Sequence, residues 1–497
     1  MWVLNFLKDF LGTPAFVVAI FTIIGSLVLK KKASQIIISA FKVIIGFLIL
    51  GGGAGVLVGS LNAFQPVFQR VYGLSGIIPN NDAFAGVLSG VSDIAKLGSL
   101  IMIVGMVINM ILATTSRFKY VYLSGHVLFY TSLMIAGVFL TLGFNPNNTT
   151  DFILMLLGGS SLIAVYMVIS PATQQRFMKD IVGSDEIALG HTGGFGYALS
   201  GYIGAAVGKV FKNKVVSTES IKFPKALYFF RNSMVSLSIT IIIFYCFAFI
   251  PGGIMYEKGL ILDTEETKTL YNILASKNWV VTMLVQAFTF TAGVEIMLSG
   301  VRLFIGELIP AFKGISDKFI KNSKAAVDCP VVFPYAPNAV LIGFISSFVA
   351  GLVGMLVTIL FNRVELLPVV ILPGLVPHFF LGATSGVFGN SKGGILGAIL
   401  GSFIHGLIIT VVPVVFIIGK WVPAQNETLL ELVPPKDLDT VSSLNWGDTD
   451  FLIGAIPGLL GLATKWLAVI APIVVALALV VDGLIKKQIE KYKLKTA

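Results

Sequence analysis

Charge is scarce in this chain. Lys, Arg, Asp and Glu make up 12% of its 497 residues and hydrophobic residues 56%, a balance that excludes a soluble domain and leaves a polytopic membrane protein. Cysteine is nearly absent: Cys246 and Cys329, both in or beside apolar segments, offer neither a disulfide framework nor a metal-ligand spacing. There is no GxxxxGK[ST] phosphate loop, which excludes ATP hydrolysis by the chain as its energy source. No HExxH or Ser/His/Asp constellation stands in a suitable setting, so no catalytic residue, metal or cofactor is expected here. Energy then has to come from an ion gradient or from a separate phosphoryl donor. The net charge of +10 lies in short basic clusters between apolar spans, which argues against a nucleic-acid-binding face. Lys30, Lys31 and Lys32 follow the first apolar run, where a cleavable signal would carry its charges before it. The first span is therefore expected to be retained, with its N-terminus outside.

What is present is a series of apolar windows of roughly 20 residues, each enough to cross a bilayer. They fall at Thr13–Leu29, Ser34–Leu61, Leu97–Thr114, Tyr120–Leu142, Phe152–Ser170, Ser233–Ile250, Trp279–Leu303, Ala339–Phe361, Leu367–Phe388, Ile395–Ile418 and Leu452–Val481. About eleven spans are expected, the second and last of them long enough to hide a kink or an extra half-helix. The joints alternate in charge. Those at Lys30–Lys32, Arg117 and Lys119, Arg176–Arg231, Lys313–Lys324 and Lys486–Lys495 are basic, whereas Asn145–Thr150 is uncharged and Glu257–Glu266 and Glu427–Asp450 are acid-rich. Cytoplasmic loops carry the excess of Lys and Arg, so this alternation predicts a cytoplasmic C-terminus. Residues 1–497 are expected to form one membrane domain, with residues 171–232 as its largest cytoplasmic or re-entrant region. Within that region, Ala172–Asp180 and Lys209–Arg231 are expected to include helices lying along the inner surface.

Glycine is concentrated in two places. Leu189–Gly208 and Leu381–Gly401 hold seven glycines each and open alike, Leu-Gly-His-Thr leading to Phe195-Gly196 and Leu-Gly-Ala-Thr leading to Phe388-Gly389. Non-helical backbone at membrane depth is tolerated where it is buried in protein or lines a cavity, and broken segments at matching places in two halves point to a transporter's binding site. The alternative is that small residues merely let helices pack closely. An odd number of expected spans separates the two stretches, so they enter from opposite faces, as an inverted repeat requires.

The four histidines all lie in or beside apolar segments. His126 and His191 follow glycines and are the better site candidates, since the open backbone beside them admits a polar ligand and imidazole both donates and accepts hydrogen bonds. His378 follows Pro377, and His405 reads as an interhelical hydrogen-bonding group. Asp328 stands in Ala325–Ala336, a segment too apolar for an ordinary loop. A carboxylate near the membrane interior costs on the order of 2.5 to 3.5 kcal/mol on the insertion scale and is functional by default. It would serve as a ligand for substrate hydroxyls or as a structural partner of Arg302 or a nearby lysine. Glu295, Arg302 and Glu307 read as a polar seam or a helix end.

These motifs resemble the membrane component, enzyme IIC, of the ascorbate-type bacterial phosphotransferase system (the SgaT/UlaA group). The resemblance runs along nearly the whole chain. It is carried by Ser124-Gly125-His126 with Phe129, Ala188–Gly194, Val301–Ser316, Ala326–Gly343 with its Asp-Cys and Ala-Pro-Asn-Ala-Val pairing, and Leu372–Gly394. It implies an all-α homodimeric permease of the bacterial inner membrane, with a substrate-carrying core that moves as an elevator against a dimerising scaffold. It also implies that L-ascorbate is phosphorylated by a phosphocysteine on a separate enzyme IIB, charged through IIA, HPr, enzyme I and phosphoenolpyruvate, with no IIA or IIB domain attached here. The substrate is expected among Ala83, Phe84, His126, Val127, Leu128, Phe129, Tyr130, His191, Thr192 and Asp328. Where the family carries a hydroxyl residue and a tyrosine at the first pair, and glutamine at two further positions, this chain has Ala83, Phe84, Tyr130 and Thr192. Another sugar acid or a polyol therefore stands beside ascorbate. An ion-coupled symporter for an organic anion and a membrane sensor without transport are the competing readings.

Overall fold

A computed structural model describes residues 10, 14–73, 76–79, 81, 85, 88, 91–211, 214–221, 232–264, 267–320, 322–367, 370–419, 444–445 and 448–496. The helices are α1 (Pro14–Val28), α2 (Ala33–Tyr72), α3 (Ser92–Thr115), α4 (Gly125–Thr141), α5 (Thr149–Val182), α6 (Gly194–Val210), α7 (Ser233–Glu257), α8 (Lys268–Ala275), α9 (Trp279–Phe319), α10 (Pro337–Arg363), α11 (Leu375–Gly419), α12 (Leu452–Gly461) and α13 (Lys465–Thr496). Six of them are long and apolar enough to cross a membrane, among the described residues. The protein is thus a mostly helical, multi-pass membrane protein.

The all-α expectation needs one correction. Six short strands, β1 (Gly76–Pro79), β2 (Tyr120–Tyr122), β3 (Ile187–Leu189), β4 (Lys324–Val327), β5 (Val370–Ile371) and β6 (Leu444–Asn445), form two three-stranded parallel sheets, ordered β5-β1-β6 and β2-β4-β3. Extended backbone inside a membrane protein has to satisfy its amides internally, and these strands do so by pairing with one another. The centre of each sheet comes from the opposite half of the chain to its two flanks.

The Tyr120–Leu142 window is accordingly not one continuous helix. It is β2 followed by the 17-residue α4, about 26 Å at 1.5 Å per residue. The last window divides into α12 and α13. Residues 172–180, expected to lie along the surface, instead extend α5 through Pro171 to a left-handed C-cap at Gly183, φ 74°. They stay helical because their polar face has inward partners: Gln174 Nε2 donates to Leu189 O at 3.0 Å and Gln175 Nε2 to Asp185 Oδ1 at 3.0 Å. Lys324 Nζ lies 2.7 Å from the same Asp185 oxygen, and these hydrogen bonds hold that carboxyl below its ordinary range. Of the second expected surface segment, residues 212–213 and 222–231 lie outside the described residues. Thr218–Ser220 forms a 3-10 turn whose Glu219 carboxylate accepts from Asn338 N and Ala339 N at 2.9 and 3.1 Å, capping α10.

The second glycine-rich stretch also departs from expectation. Leu381–Phe388 is continuous helix, and the break falls at Gly394, φ 57° and ψ −149°. That conformation is open essentially to glycine alone. The chain folds back there, so that Ser402 Oγ donates to Gly382 O at 3.0 Å and Ser385 Oγ meets His405 Nδ1 at 2.5 Å. α11 is therefore a helical hairpin of two antiparallel arms. For Leu381–Phe388 the close-packing reading applies: a methyl group added at Gly343 of α10 would sit 2.7 Å from Gly386 Cα.

Packing divides the helices into two groups. α2 packs on α9, with α1, α7 and α8 against that pair; α3–α6 and α10–α13 pack around the two sheets.

Candidate functional site

Three chain segments leave the sheet β2-β4-β3 side by side. The register Tyr120↔Lys324 and Ile187↔Ala325 aligns their ends. Beyond them Leu123 N donates to Ala326 O at 2.8 Å, Gly190 N donates to Val327 O at 2.7 Å, and Ser124 Oγ donates to Gly190 O. His126 follows β2 within four residues, His191 follows β3 within two, and Asp328 follows β4 directly. Parallel pairing is what brings these three side chains, far apart in sequence, to one point.

There His126 Nε2 lies 3.8 Å from Asp328 Oδ2, and His191 Nε2 lies 3.9 Å from Asp328 Oδ1. One ligand atom from each residue falls within 4.8 Å of the others. The rings of His126 and His191 are 6.4 Å apart and tilted. Asp328 also caps the 3-10 turn Cys329–Tyr335, accepting from Cys329 N at 2.7 Å. Gly193 N and Tyr197 Oη lie 3.3 and 2.7 Å from His191 Nδ1. A backbone N–H only donates, so Nδ1 accepts, and the neutral ring carries its proton on Nε2, facing Asp328. His126 Nδ1 is buried and has no hydrogen-bond partner among the described residues. α4 and α6 both begin beside this cluster, and the first amides of a helix have no intrahelical partner and favour negative charge. Two imidazoles, one carboxylate and two helix N-termini suit a small polyhydroxylated anion.

The structure does not bring every expected residue to this point. Tyr130 shares a face with His126 one helical turn away, their rings edge to face at 6.0 Å. Phe129 packs beside Tyr130 at 6.2 Å. Val127 and Leu128 are buried in the apolar core, because a helix can turn only part of its circumference toward a ligand. Thr192 turns away, its Oγ1 donating to Asp448 Oδ2. Ala83 and Phe84 lie outside the described residues. Arg302 pairs with Glu295 at 3.6 Å rather than with Asp328, and Glu307 takes Lys42 at 2.7 Å and Ser39 at 2.6 Å. His378 meets Ser347 Oγ at 2.8 Å, and His405 sits between Ser385 and Thr449.

A buried acidic pair escaped the sequence reading, which placed Asp448 and Asp450 in an acid-rich outer joint. Both are buried. Asp450 N donates to Thr192 O at 2.7 Å, and its carboxylate accepts from Phe195 N, Tyr166 Oη and Ser170 Oγ, each at 2.9 Å. Tyr166 Oη also lies 3.1 Å from His191 O. Asp450 thus braces the non-helical segment that presents His191. The signal was available in the direct abutment of Asp448-Thr449-Asp450 on the apolar run from Phe451, since a loop destined for water has no need to end so abruptly.

Comparison with known proteins agrees with this architecture. The chain matches the family model EIIC-GAT, "PTS system sugar-specific permease component", over residues 9–426. It is 26% identical over 431 residues to the "Ascorbate-specific PTS system EIIC component" of Mycoplasma pneumoniae, covering 80% of this chain and 63% of that protein. The chain thus spans a little under two thirds of the length of this curated relative.

Proposed function

The chain belongs to the family of sugar-specific permease components of the phosphotransferase system, and from that premise we propose that it takes up L-ascorbate, or a closely related sugar acid, for phosphorylation by a separate enzyme IIB. The observation that carries the substrate class is the His126–His191–Asp328 cluster at the ends of three parallel strands. Imidazole N–H groups and helix N-termini favour an anion, while the carboxylate accepts from hydroxyls. The relative whose name specifies ascorbate supports the same choice. The proposed substrate site has the side chains of His126, Tyr130, His191 and Asp328 as its core, with Ala83, Phe84 and Phe129 proposed beside them and with Val127, Leu128 and Thr192 contributing backbone rather than side chains. Phosphorylation makes uptake unidirectional, because a phosphorylated sugar acid is too charged to return through an apolar barrier.

The wider reading is an elevator. The group α1, α2, α7, α8 and α9 would be the dimerising scaffold, and the helices around the sheets would be the moving core of a homodimer. Eleven spans with the N-terminus outside and the C-terminus in the cytoplasm remain the proposed topology. The interleaved strand orders support an inverted repeat in which β1, β2 and β3 correspond to β4, β5 and β6. That correspondence pairs Leu189–Gly208 with the segment after β6, and the α11 hairpin with α4 and α5.

The test is binding of labelled ascorbate to the purified protein, with competition by other sugar acids and by polyols. Asp328→Asn and His191→Ala are expected to weaken binding roughly tenfold or more, the scale of a lost charge-assisted hydrogen bond, with membrane insertion intact. Unchanged affinity in either variant removes that residue from the site. Uptake in vesicles that persists without phosphoenolpyruvate and delivers unmodified substrate would select the ion-coupled symporter instead.

A further inference from the structure

A strongly basic cavity lies away from the His-Asp cluster. It has a volume of about 510 Å³ and is bounded by the C-terminal end of α3 with the turn that follows it, by the joint between α9 and β4, and by α13. Among the described residues four cations line it, Arg117, Lys119, Lys486 and Lys487, and no carboxylate does. The nearby Asp482 forms a two-point pair with Arg117, Nε to Oδ2 at 2.7 Å and Nη2 to Oδ1. That pair fixes the guanidinium against α13.

The fold forces the cations together. α13 crosses the end of α3 at Gly483, where a methyl group would overlap Thr115 O. The turn Ser116–Lys119 is thereby held against the helix that carries Lys486 and Lys487. Lys119 Nζ donates to Thr114 O at 2.9 Å, and burial, then Lys487 and Lys486, pushes its pKa down. Set against the one neighbouring carboxylate of Asp482, these four cations leave the cavity with a net positive charge that favours an anion.

The setting says which anion. Lys465–Ile489 is a membrane-length apolar segment of α13, and Lys486 and Lys487 stand in its last turn. Leu477, Val481 and Leu484 follow one another at helical spacing and are 60%, 53% and 47% exposed, a stripe that leads along α13 to the cavity and faces acyl chains. Basic pockets beside membrane helices hold anionic lipid headgroups. We propose that this cavity is a binding site for an anionic phospholipid, its phosphate among Arg117, Lys119, Lys486 and Lys487 and its chains along the apolar face of α13.

The experiment is a titration of the purified full chain in detergent, reading the midpoint of thermal unfolding. Its three arms are phosphatidylglycerol, phosphatidylcholine with the same acyl chains, and inorganic phosphate alone. Phosphatidylglycerol is expected to raise the midpoint saturably and the other two not. K486Q/K487Q is expected to weaken the apparent affinity for phosphatidylglycerol about 25-fold, about fivefold per lysine, with the lipid-free midpoint unchanged; K486R/K487R is expected to retain it. An equal response to phosphatidylcholine, or an equal response to inorganic phosphate, overturns the lipid assignment. Undiminished phosphatidylglycerol affinity in K486Q/K487Q overturns the location, and if that variant instead loses phosphorylation by enzyme IIB, the face belongs to the protein partner.

Discussion

Asp450 and Asp328 show how differently two carboxylates behave in one membrane protein. Among the described residues Asp328 has its own cap hydrogen bond and two histidines at 3.8 and 3.9 Å, an arrangement that leaves room for a ligand. Asp450 is surrounded by donors from Phe195, Tyr166 and Ser170 and has no such capacity left. Removing its acceptor oxygens leaves Phe195 N and Ser170 Oγ without that acceptor, at about 1 to 3 kcal/mol each, while Tyr166 Oη keeps His191 O at 3.1 Å. Asp450→Ala is therefore expected to lower the midpoint of thermal unfolding by several degrees and to weaken ascorbate binding, because the segment presenting His191 loses its brace. Asp450→Asn, which keeps one acceptor oxygen, should be milder on both measurements. A midpoint and an affinity equal to the parent's in Asp450→Ala would show that the brace is dispensable. His126 and His191 were legible in the sequence because a polar residue beside glycine in an apolar run has few structural reasons to exist, and Asp328 because a carboxylate in an apolar segment is costly. Asp450 was not, since it sits in a hydrophilic stretch and becomes buried only on folding.

At the scale of elements, glycine serves two purposes that composition does not separate. Around Leu381–Phe388 it permits close helix contact, and at Gly394 it makes the reversal of α11. Any side chain at Gly394 meets the positive φ, a strain of about 1 to 3 kcal/mol, and an added methyl also meets Val216 O. Gly394→Ala is expected to be destabilising in a thermal melt. Gly55→Ala, in helical backbone with nothing within 4 Å of the added methyl, should be neutral or stabilising by about 0.5 to 1 kcal/mol. Equal melts for the two variants would contradict a reversal at Gly394. The sequence located the glycine-rich stretches correctly but not the break within the second, because seven glycines offer many hinge positions and only packing selects one.

For the whole molecule, the decisive feature is that each sheet borrows its central strand from the other half of the chain. β4 lies between β2 and β3, and β1 between β5 and β6. Residues 1–264 expressed alone would lack β4 and with it Asp328, and are expected to leave little folded protein in the membrane fraction and no ascorbate binding. Co-expression with residues 267–497 should restore both, since the chain can be divided between α7 and α8 without cutting a strand or a site. Binding by the first part alone would sink this interdependence. What the sequence determined by itself was the membrane class and the family, and it supplied the residue types of the proposed site, because hydropathy, glycine breaks and isolated polar residues act over a few neighbours. What only the tertiary structure decided was which of those residues meet, where the second break falls, and that an acidic joint is buried against the first. Those outcomes depend on pairing strands 204 and 138 residues apart in sequence, Tyr120 with Lys324 and Ile187 with Ala325, and no local pattern encodes a distance of that kind.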